Sequence, residues 1–323
     1  MDAYKILAKE GLRFIFYSMA ILFGPVKSRR LGLSLGVELV PKKICSMDCL
    51  YCEVGKTDTL TLIRAEYIPW DEIERALYLA KEREGEYDVL TFTGSGEPTL
   101  NIHFERAIYF AKSLIKKPIA VLTNSSTIHL ESVRKALAEV DLVLASLDCA
   151  LDKSFKLLNR PVKELKLSTI IEGLKGLREI MKGELWLEVL FVKGINDQPE
   201  DLRALKEAIS KIKPHKVQLN TVVRPPAYRI AQPLTFEELE RIMVFLGEGA
   251  EIITPKEKIL KPLGIKEDLN EKILDYLARR PAPLTELTAI FGENKEFSRI
   301  LEELVSAGKL KRVLHQKEIF YST

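Results

Sequence analysis

The chain has 323 residues, 46% of them hydrophobic and 29% charged, with 49 Lys and Arg against 46 Asp and Glu. That length buries a sizeable core and fits one large domain plus a small one, while a net charge of +3 is too mild to announce a nucleic-acid binder. Four cysteines make no disulfide framework and imply reduced thiols in a cytoplasmic, low-potential setting.

In chain order, Leu12 to Phe23 is an apolar run preceded by Lys5, Lys9 and Arg13. It is too short to span a bilayer and has no convincing small-residue cleavage site. Residues 1–18 therefore read as an N-terminal extension, with Met19 as the candidate start of the main domain. Val37 to Val40 completes a first strand that feeds a cysteine-rich loop, and Asp71 to Lys81 reads as a helix with Trp70 and Asp71 at its start. Further strands are expected at Asp88 to Thr93, Pro118 to Thr123, Asp141 to Ser146, Leu185 to Val192 and Lys216 to Asn220. Helical patterns near Phe104 to Lys116, Leu130 to Ala138, Leu167 to Met181 and Glu200 to Ile212 separate them. This alternation predicts an α/β chain with parallel crossovers and a sheet buried on both faces. Its chemistry belongs beyond the C-terminal ends of the strands.

Pro255 to Gly264 is rich in Lys, Pro and Gly and reads as a linker, so the expected units are 19–250, a linker over 251–264, and a small domain over 265–323. The last unit shows helices at Asn270 to Ala278, Leu284 to Phe291 and Lys295 to Ala307, then two short strands at Leu310 to Leu314 and Lys317 to Tyr321. Three helices and a hairpin read as a winged helix-turn-helix, with Thr285 capping its second helix and Asn294 its third. Lys295, Glu296, Arg299, Glu302 and Glu303 give that third helix a net negative charge, which repels phosphate and disfavours DNA. Lys309, Lys311, Arg312 and Lys317 on the wing side keep tRNA open as a partner, beside the favoured roles of peptide docking or an intramolecular lid.

The most informative feature is Cys45-Ser-Met-Asp-Cys49-Leu-Tyr-Cys52, three thiols within eight residues. The only other cysteine is Cys149, and His103, His129, His215 and His315 all lie far from the loop. A structural zinc wants four protein ligands. Three soft thiolates with an open position suit a [4Fe-4S] cluster, with zinc completed by Cys149 and plain core thiols as the alternatives. Thr93-Gly94-Ser95-Gly96-Glu97-Pro98 follows a strand directly, where glycines let backbone approach a ligand and an acid can meet an ammonium. Asn124, Ser125, Ser146 and Asp148 stand at the next two strand ends, where such residues also serve as helix caps. Asn196 and Asp197 read as a turn and a cap.

The spacing C-x3-C-x-Tyr-C resembles the signature of the radical S-adenosylmethionine (SAM) superfamily, with Tyr51 as its aromatic residue. The resemblance implies a partial (β/α)6 barrel and a cluster held by Cys45, Cys49 and Cys52. It also implies SAM bound at the open iron and cleaved by one electron to methionine and a 5′-deoxyadenosyl radical. It further implies that Gly94, Ser95, Gly96 and Glu97 meet the methionine end of SAM, although Ser95 stands where that family's element usually has glycine. Asn124, Ser125, Ser146 and Asp148 join them, Arg160 faces a carboxylate, Val192 packs on adenine, and flavodoxin or ferredoxin is the electron donor. The stretch Phe23 to Gly36 is similar to the bacterial and archaeal branch grouped with the wyosine-base synthases of tRNA, over roughly residues 19 to 250. Those enzymes carry a second cysteine set and this chain does not, so the grouping does not deliver their reaction. Substrate-facing candidates are Ser28, Arg29 and Arg30, which can read an anion, and Gln218, Asn220, Arg224 and Arg229 beyond the sixth strand. A cluster-switched DNA-binding regulator is a further reading; the α/β repeat and Gly96-Glu97 argue against it.

Overall fold

The computed structural model describes residues 21–253 and 269–323; the expected extension and most of the linker lie outside them. Strand β1 (Leu22–Ser28) pairs antiparallel with β2 (Gly32–Val37). After the short strands β3 (Ile44–Cys45) and β4 (Thr59–Leu60) come helix α1 (Trp70–Glu82) and β5 (Val89–Phe92). The alternation continues through α2 (Phe104–Leu114), β6 (Ile119–Thr123), α3 (Glu131–Ala138), β7 (Leu142–Ser146), α4 (Asp152–Leu158) and α5 (Leu167–Ile180). Next are β8 (Glu184–Phe191), α6 (Pro199–Ile212), β9 (Lys216–Thr221), α7 (Phe236–Leu246) and β10 (Ala250–Ile252).

These strands make one eight-stranded sheet in the order β1-β2-β5-β6-β7-β8-β9-β10, in which every pairing except β1 with β2 is parallel. Chain order and spatial order coincide from β5 to β10, as consecutive βαβ units require. The helices pack through amphipathic faces: α1 buries Ile73, Ala76, Leu77 and Ala80, a stripe at helical spacing. Leu35, Leu90, Val121, Val143 and Leu187 from successive strands are fully buried in the same core.

Two expectations along this sheet need correction. The first parallel strand ends at Val37 rather than Val40. Its continuation leaves the ladder because Glu38 N–H bonds Ile21 O at 2.8 Å and the Glu38 carboxylate turns onto Ser95. Helices α4 and α7 have no counterpart in the expected elements, although Thr235 and Glu238 form a full capping box at the start of α7, a signal written in the sequence.

The C-terminal part comprises α8 (Leu269–Arg279), β11 (Ala282–Pro283), α9 (Leu284–Phe291), α10 (Lys295–Ser306), β12 (Lys311–His315) and β13 (Glu318–Ser322). Its strands form an antiparallel sheet in the order β11-β13-β12, and its core is separate, built on Ile273, Leu277, Leu287, Phe297, Leu301 and Tyr321. Asn294 caps α10 by accepting from Phe297 N–H at 2.8 Å. Thr285 caps nothing: α9 begins after Pro283, and the Thr285 hydroxyl donates to Glu318 instead.

This part is fastened to the main sheet by polar contacts. Arg224 donates to Pro281 O at 2.7 Å and pairs with Glu286 at 3.0 Å. Gln316 donates to Val222 O at 2.6 Å, and Arg279 lies over the Phe23 ring while pairing with Glu38 at 3.3 Å.

Asn101 ties the loops that lead into the site. Fully buried, it donates to Leu39 O and Ile68 O at 2.8 and 3.0 Å and accepts from His103 N–H at 2.8 Å. Asn101→Ala strands these buried groups, so the unfolding free energy should fall by about 2 kcal/mol or more in urea denaturation. A loss under about 0.5 kcal/mol would mean that water replaces the amide.

Candidate active site around the cysteine loop

The loop from Cys45 to Cys52 is clamped by main-chain hydrogen bonds from three parts of the chain. Thr61 N–H donates to Cys45 O at 2.9 Å where β3 meets β4. The segment after α4 contributes Leu158 O to Leu50 N–H at 2.9 Å, Asn159 O to Asp48 N–H at 3.1 Å, and Val162 N–H to Ser46 O at 3.0 Å. A strap after β9 adds Ala227 N–H to Cys52 O and Tyr228 N–H to Leu50 O, both at 3.0 Å. Asp48 holds the same three parts through its side chain, accepting from Thr57 N–H, from Tyr228 OH at 2.6 Å and from Arg160 at 3.2 Å. Burial alone would raise its pKa, but these donors hold it below the ordinary carboxylate range.

Each thiol of the loop meets one nitrogen donor. Asn124 Nδ2 lies 3.3 Å from Cys45 Sγ, Asn159 Nδ2 3.5 Å from Cys49 Sγ, and Lys43 Nζ 3.2 Å from Cys52 Sγ. Burial, with Glu97 adding to it, pushes the Cys45 thiol up to about 11. Burial and Asp148 push Cys49 well above its ordinary value. Deprotonating these sulfurs therefore requires a cationic centre to share their charge. One zinc would draw every sulfur to about 2.3 Å from a single point. A cubane takes each thiolate at a different iron, and three cysteines on one loop suit that arrangement. Cys149 is buried in the main core and burial raises its thiol, in keeping with a packing role.

The strand-end segment is pressed against the cysteine loop. Ser95 O accepts from Lys43 N–H at 3.0 Å, and Glu97 N–H donates to Ile44 O at 3.1 Å. A Cβ on Gly96 would sit 2.1 Å from Ile44 O, so only glycine permits this approach. Ser95 gives both its N–H and its hydroxyl to Glu38 Oε1 at 2.7 Å. Glu97 is buried and accepts from Thr99 N–H, Thr99 Oγ1, Thr123 Oγ1 and, at 2.6 Å, Asn124 N–H. Burial outweighs these donors and pushes its carboxyl above the ordinary range. Its carboxylate thus fixes Asn124, whose amide also donates to Ser46 Oγ at 2.9 Å.

Ser125 adopts φ 68° and donates to Ser146 O at 3.0 Å. Asp148 accepts from Tyr51 OH at 2.5 Å, Asn159 Nδ2 at 2.6 Å and Leu190 N–H at 2.9 Å. Burial still pushes it up to about 6. A cavity against the loop is lined by Met47, Tyr51, Asn124, Ser146, Asp148 and Asn159. The expected residues Tyr51, Gly94 to Glu97, Asn124, Ser125, Ser146 and Asp148 therefore gather around one loop. Arg160, at φ 46°, instead stacks on Tyr228 and pairs with Asp48. Val192 needs correction: it is fully buried in the main core, so its side chain offers no surface to adenine.

The expected substrate-facing residues divide. Ser28 Oγ accepts from Arg30 and Leu31 N–H and so closes the β1–β2 turn rather than reading an anion. Arg30 pairs with Glu188 at 2.8 Å and reaches Gln218 at 3.5 Å. Asn220 donates to Glu188 at 3.0 Å, Gln218 donates to Glu251 at 2.8 Å, and Arg224 pairs with Glu53 at 3.1 Å. Burial alone would raise Glu188, but Arg30 holds it below the carboxylate range. Arg229 is exposed. Asn196 forms the expected turn, yet its side chain bonds Val192 N–H, Asp148 O and Leu190 O and caps no helix. The residues that motif reading passed over are Glu38, Lys43, Asp48, Glu53, Asn159, Glu188 and Tyr228. Glu188 carried a legible signal, a lone acid inside the apolar run Leu185 to Phe191.

Residues 39–205 match the radical SAM superfamily, more than half of the chain. The chain belongs to that superfamily. This radical SAM protein is also 34% identical to a UPF0026 protein of Methanocaldococcus jannaschii over 313 residues, covering 94% of this chain and 96% of that one, and so belongs to UPF0026 as well. It is 34% identical over 304 residues to a Brachyspira hyodysenteriae protein named GTPase Obg, covering 93% of this chain but only 45% of that one. The chain thus spans less than half the length of that relative. The crystal structure of archaeal TYW1 is similar at 15% identity and a TM-score of 0.47, covering 77% of this chain and 89% of that one. Membership makes the protein an enzyme that uses a [4Fe-4S] cluster and SAM, and the thiol loop fits that cluster. Among the described residues no helix is long and apolar enough to cross a membrane.

Two glycines provide a paired test of the loop contact. Gly96→Ala drives a methyl against Ile44 O, whereas a Cβ on Gly85 meets nothing within 4 Å. Gly96→Ala should cost about 1–3 kcal/mol in thermal or chemical denaturation, and Gly85→Ala should stay within about 0.5 kcal/mol of the parent. Equal effects would show that residues 44 and 96 are not held together.

Proposed function

We propose that this radical SAM enzyme holds one [4Fe-4S] cluster through Cys45, Cys49 and Cys52 and acts on a macromolecular substrate brought to the loop. The observation that carries the reading is a single loop presenting three half-buried thiols, each facing a nitrogen donor. When bound, the cluster supplies the electron that splits SAM into methionine and the hydrogen-abstracting 5′-deoxyadenosyl radical. Everything else is the work of the chain's own groups. Asn124, Asn159 and Lys43 draw negative charge from the sulfurs through N–H···S contacts. Gly94, Ser95 and Gly96 offer backbone to the methionine end of SAM, Glu97 positions Asn124, and Ser125, Ser146, Asp148 and Tyr51 line the adjoining side. Buried packing around them excludes water from the reactive species.

The C-terminal unit is read as a winged-helix-like domain serving as an intramolecular lid, supported by the contacts of Arg224, Arg279 and Gln316 between it and the main sheet. Residues 19–250, 251–264 and 265–323 remain the proposed division of the chain. The acidic third helix suits a peptide or protein partner better than DNA, and Arg312 on the wing side is already paired with Glu302. The electron donor is a low-potential protein such as flavodoxin or ferredoxin, which places the enzyme in the cytoplasm.

Anaerobic reconstitution followed by iron and sulfide analysis should give about one cluster per chain. Cys45→Ala, Cys49→Ala or Cys52→Ala should abolish it and Cys149→Ala should not; a full cluster without Cys49 would sink the assignment. Deuterium from labelled cell protein or RNA, offered in turn, should then appear in 5′-deoxyadenosine and name the substrate class.

Binding of tRNA to the full chain, titrated over salt, tests the lid reading directly. It should be weak and lost by moderate salt. Tight binding that falls by about 0.9 log units per log unit of salt for each phosphate neutralised, and that needs Lys309, Lys311 and Lys317, would make tRNA modification the better reading.

A further inference from the structure

Lys43 is a buried cation that no acid answers. It is 4% exposed, whereas the neighbouring Lys42 is exposed. The residue takes φ 63°, a left-handed conformation that is costly for any side chain, and the surrounding main chain holds it there. Lys43 N–H donates to Ser95 O at 3.0 Å, and Lys43 O accepts from Asp58 and Thr59 N–H, both at 3.1 Å. With the backbone so fixed, Nζ meets Cys52 Sγ at 3.2 Å. That is its only side-chain hydrogen bond among the described residues, and no carboxylate pairs with it. A neutral thiol is a weak acceptor, and a desolvated ammonium is buried at large cost unless an anion faces it. Glu97 and Asp148 are held by other donors, Glu97 by Thr99, Thr123 and Asn124, and Asp148 by Tyr51, Asn159 and Leu190. The three loop sulfurs are therefore not equivalent: Cys45 and Cys49 face neutral amides, and Cys52 faces a full positive charge.

We propose that Lys43 is the built-in counter-charge of the cluster held by the loop, and that it raises the reduction potential into the range of a low-potential protein donor. The inference rests on the radical SAM reading and deepens it by naming the residue that governs electron entry. One electron leaves the donor and one arrives at the site, with no bond formed or broken. The site gains one negative charge, and an ammonium beside a ligand sulfur stabilises the reduced form more than the oxidised one. No proton needs to follow the electron, because the ammonium already carries its own. Asn124 and Asn159 offer only dipoles to their sulfurs, so the larger share of the effect belongs to Lys43. Burial keeps that share large, since the charge acts through a low dielectric and is little screened by salt.

The test takes the full chain, reconstituted with cluster and free of SAM, through a dithionite titration in which electron paramagnetic resonance follows the reduced cluster. Lys43→Met keeps a long apolar stem in the buried position and removes the charge, while Lys42→Met makes the same change of charge on the exposed neighbour. Lys43→Met should lower the equilibrium constant for one-electron reduction about ten-fold or more, a midpoint lower by about 59 mV or more. Lys42→Met should leave the midpoint where it is, and Lys43→Arg should stay near the parent. Equal midpoints in the parent and Lys43→Met, or equal shifts in the two methionine variants, would overturn the proposal. Should Lys43→Met take up no cluster, Lys43→Arg decides alone: a full cluster at the parent midpoint upholds the counter-charge, and any other result overturns it. A parent chain that takes up no [4Fe-4S] cluster would instead strike the radical SAM reading beneath the proposal.

Discussion

The site depends on main-chain hydrogen bonds that hold the cysteine loop from outside itself. Three thiols on a free loop would lose conformational entropy on meeting a cluster. Here Leu158 and Asn159 on one side, and Ala227 and Tyr228 on the other, fix Asp48, Leu50 and Cys52 beforehand. Asp48 reinforces this with its side chain, since its donors come from the loop's own continuation at Thr57, from the segment after α4 and from the strap after β9. The cost of ordering is met by the fold, and the sulfurs are left to do chemistry.

Electrostatics follow from that clamp. Enclosing the loop buries Cys45 and Cys49 beside Glu97 and Asp148, and both effects oppose thiolates. The N–H donors from Asn124, Asn159 and Lys43 work in the other direction, but an amide or ammonium contact is small against the charge of a metal cluster. Cys45 and Cys49 are therefore favoured as thiols until a cationic centre shares their charge. The same carboxylates serve a second purpose, because Glu97 fixes Asn124 and Asp148 fixes Tyr51 and Asn159.

Local pattern carried the strands and helices of the parallel sheet, since apolar periodicity and the interval between elements both survive in a single chain. The cysteine spacing and the Gly94 to Glu97 segment were legible for the same reason: their partners are close in sequence or fixed by strand ends. Tyr228 and Asn159 were not, because their roles exist only when β9 and α4 deliver them to a loop more than a hundred residues away. Val192 shows the opposite error, a residue at the right strand end whose side chain faces inward. Arg30, Gln218 and Asn220 read in the sequence as separate polar groups, and only the fold reveals that Arg30 joins Gln218 and shares Glu188 with Asn220.

The contacts that bring the C-terminal unit onto the sheet join residues from opposite ends of the chain. Glu38 and Glu53 are made early, while Arg279 and Glu286, which complete their networks, are among the last sixty residues. Because synthesis runs from the N-terminus and domains fold as they emerge, the cysteine loop and its clamp can form before Arg279 and Glu286 complete these networks.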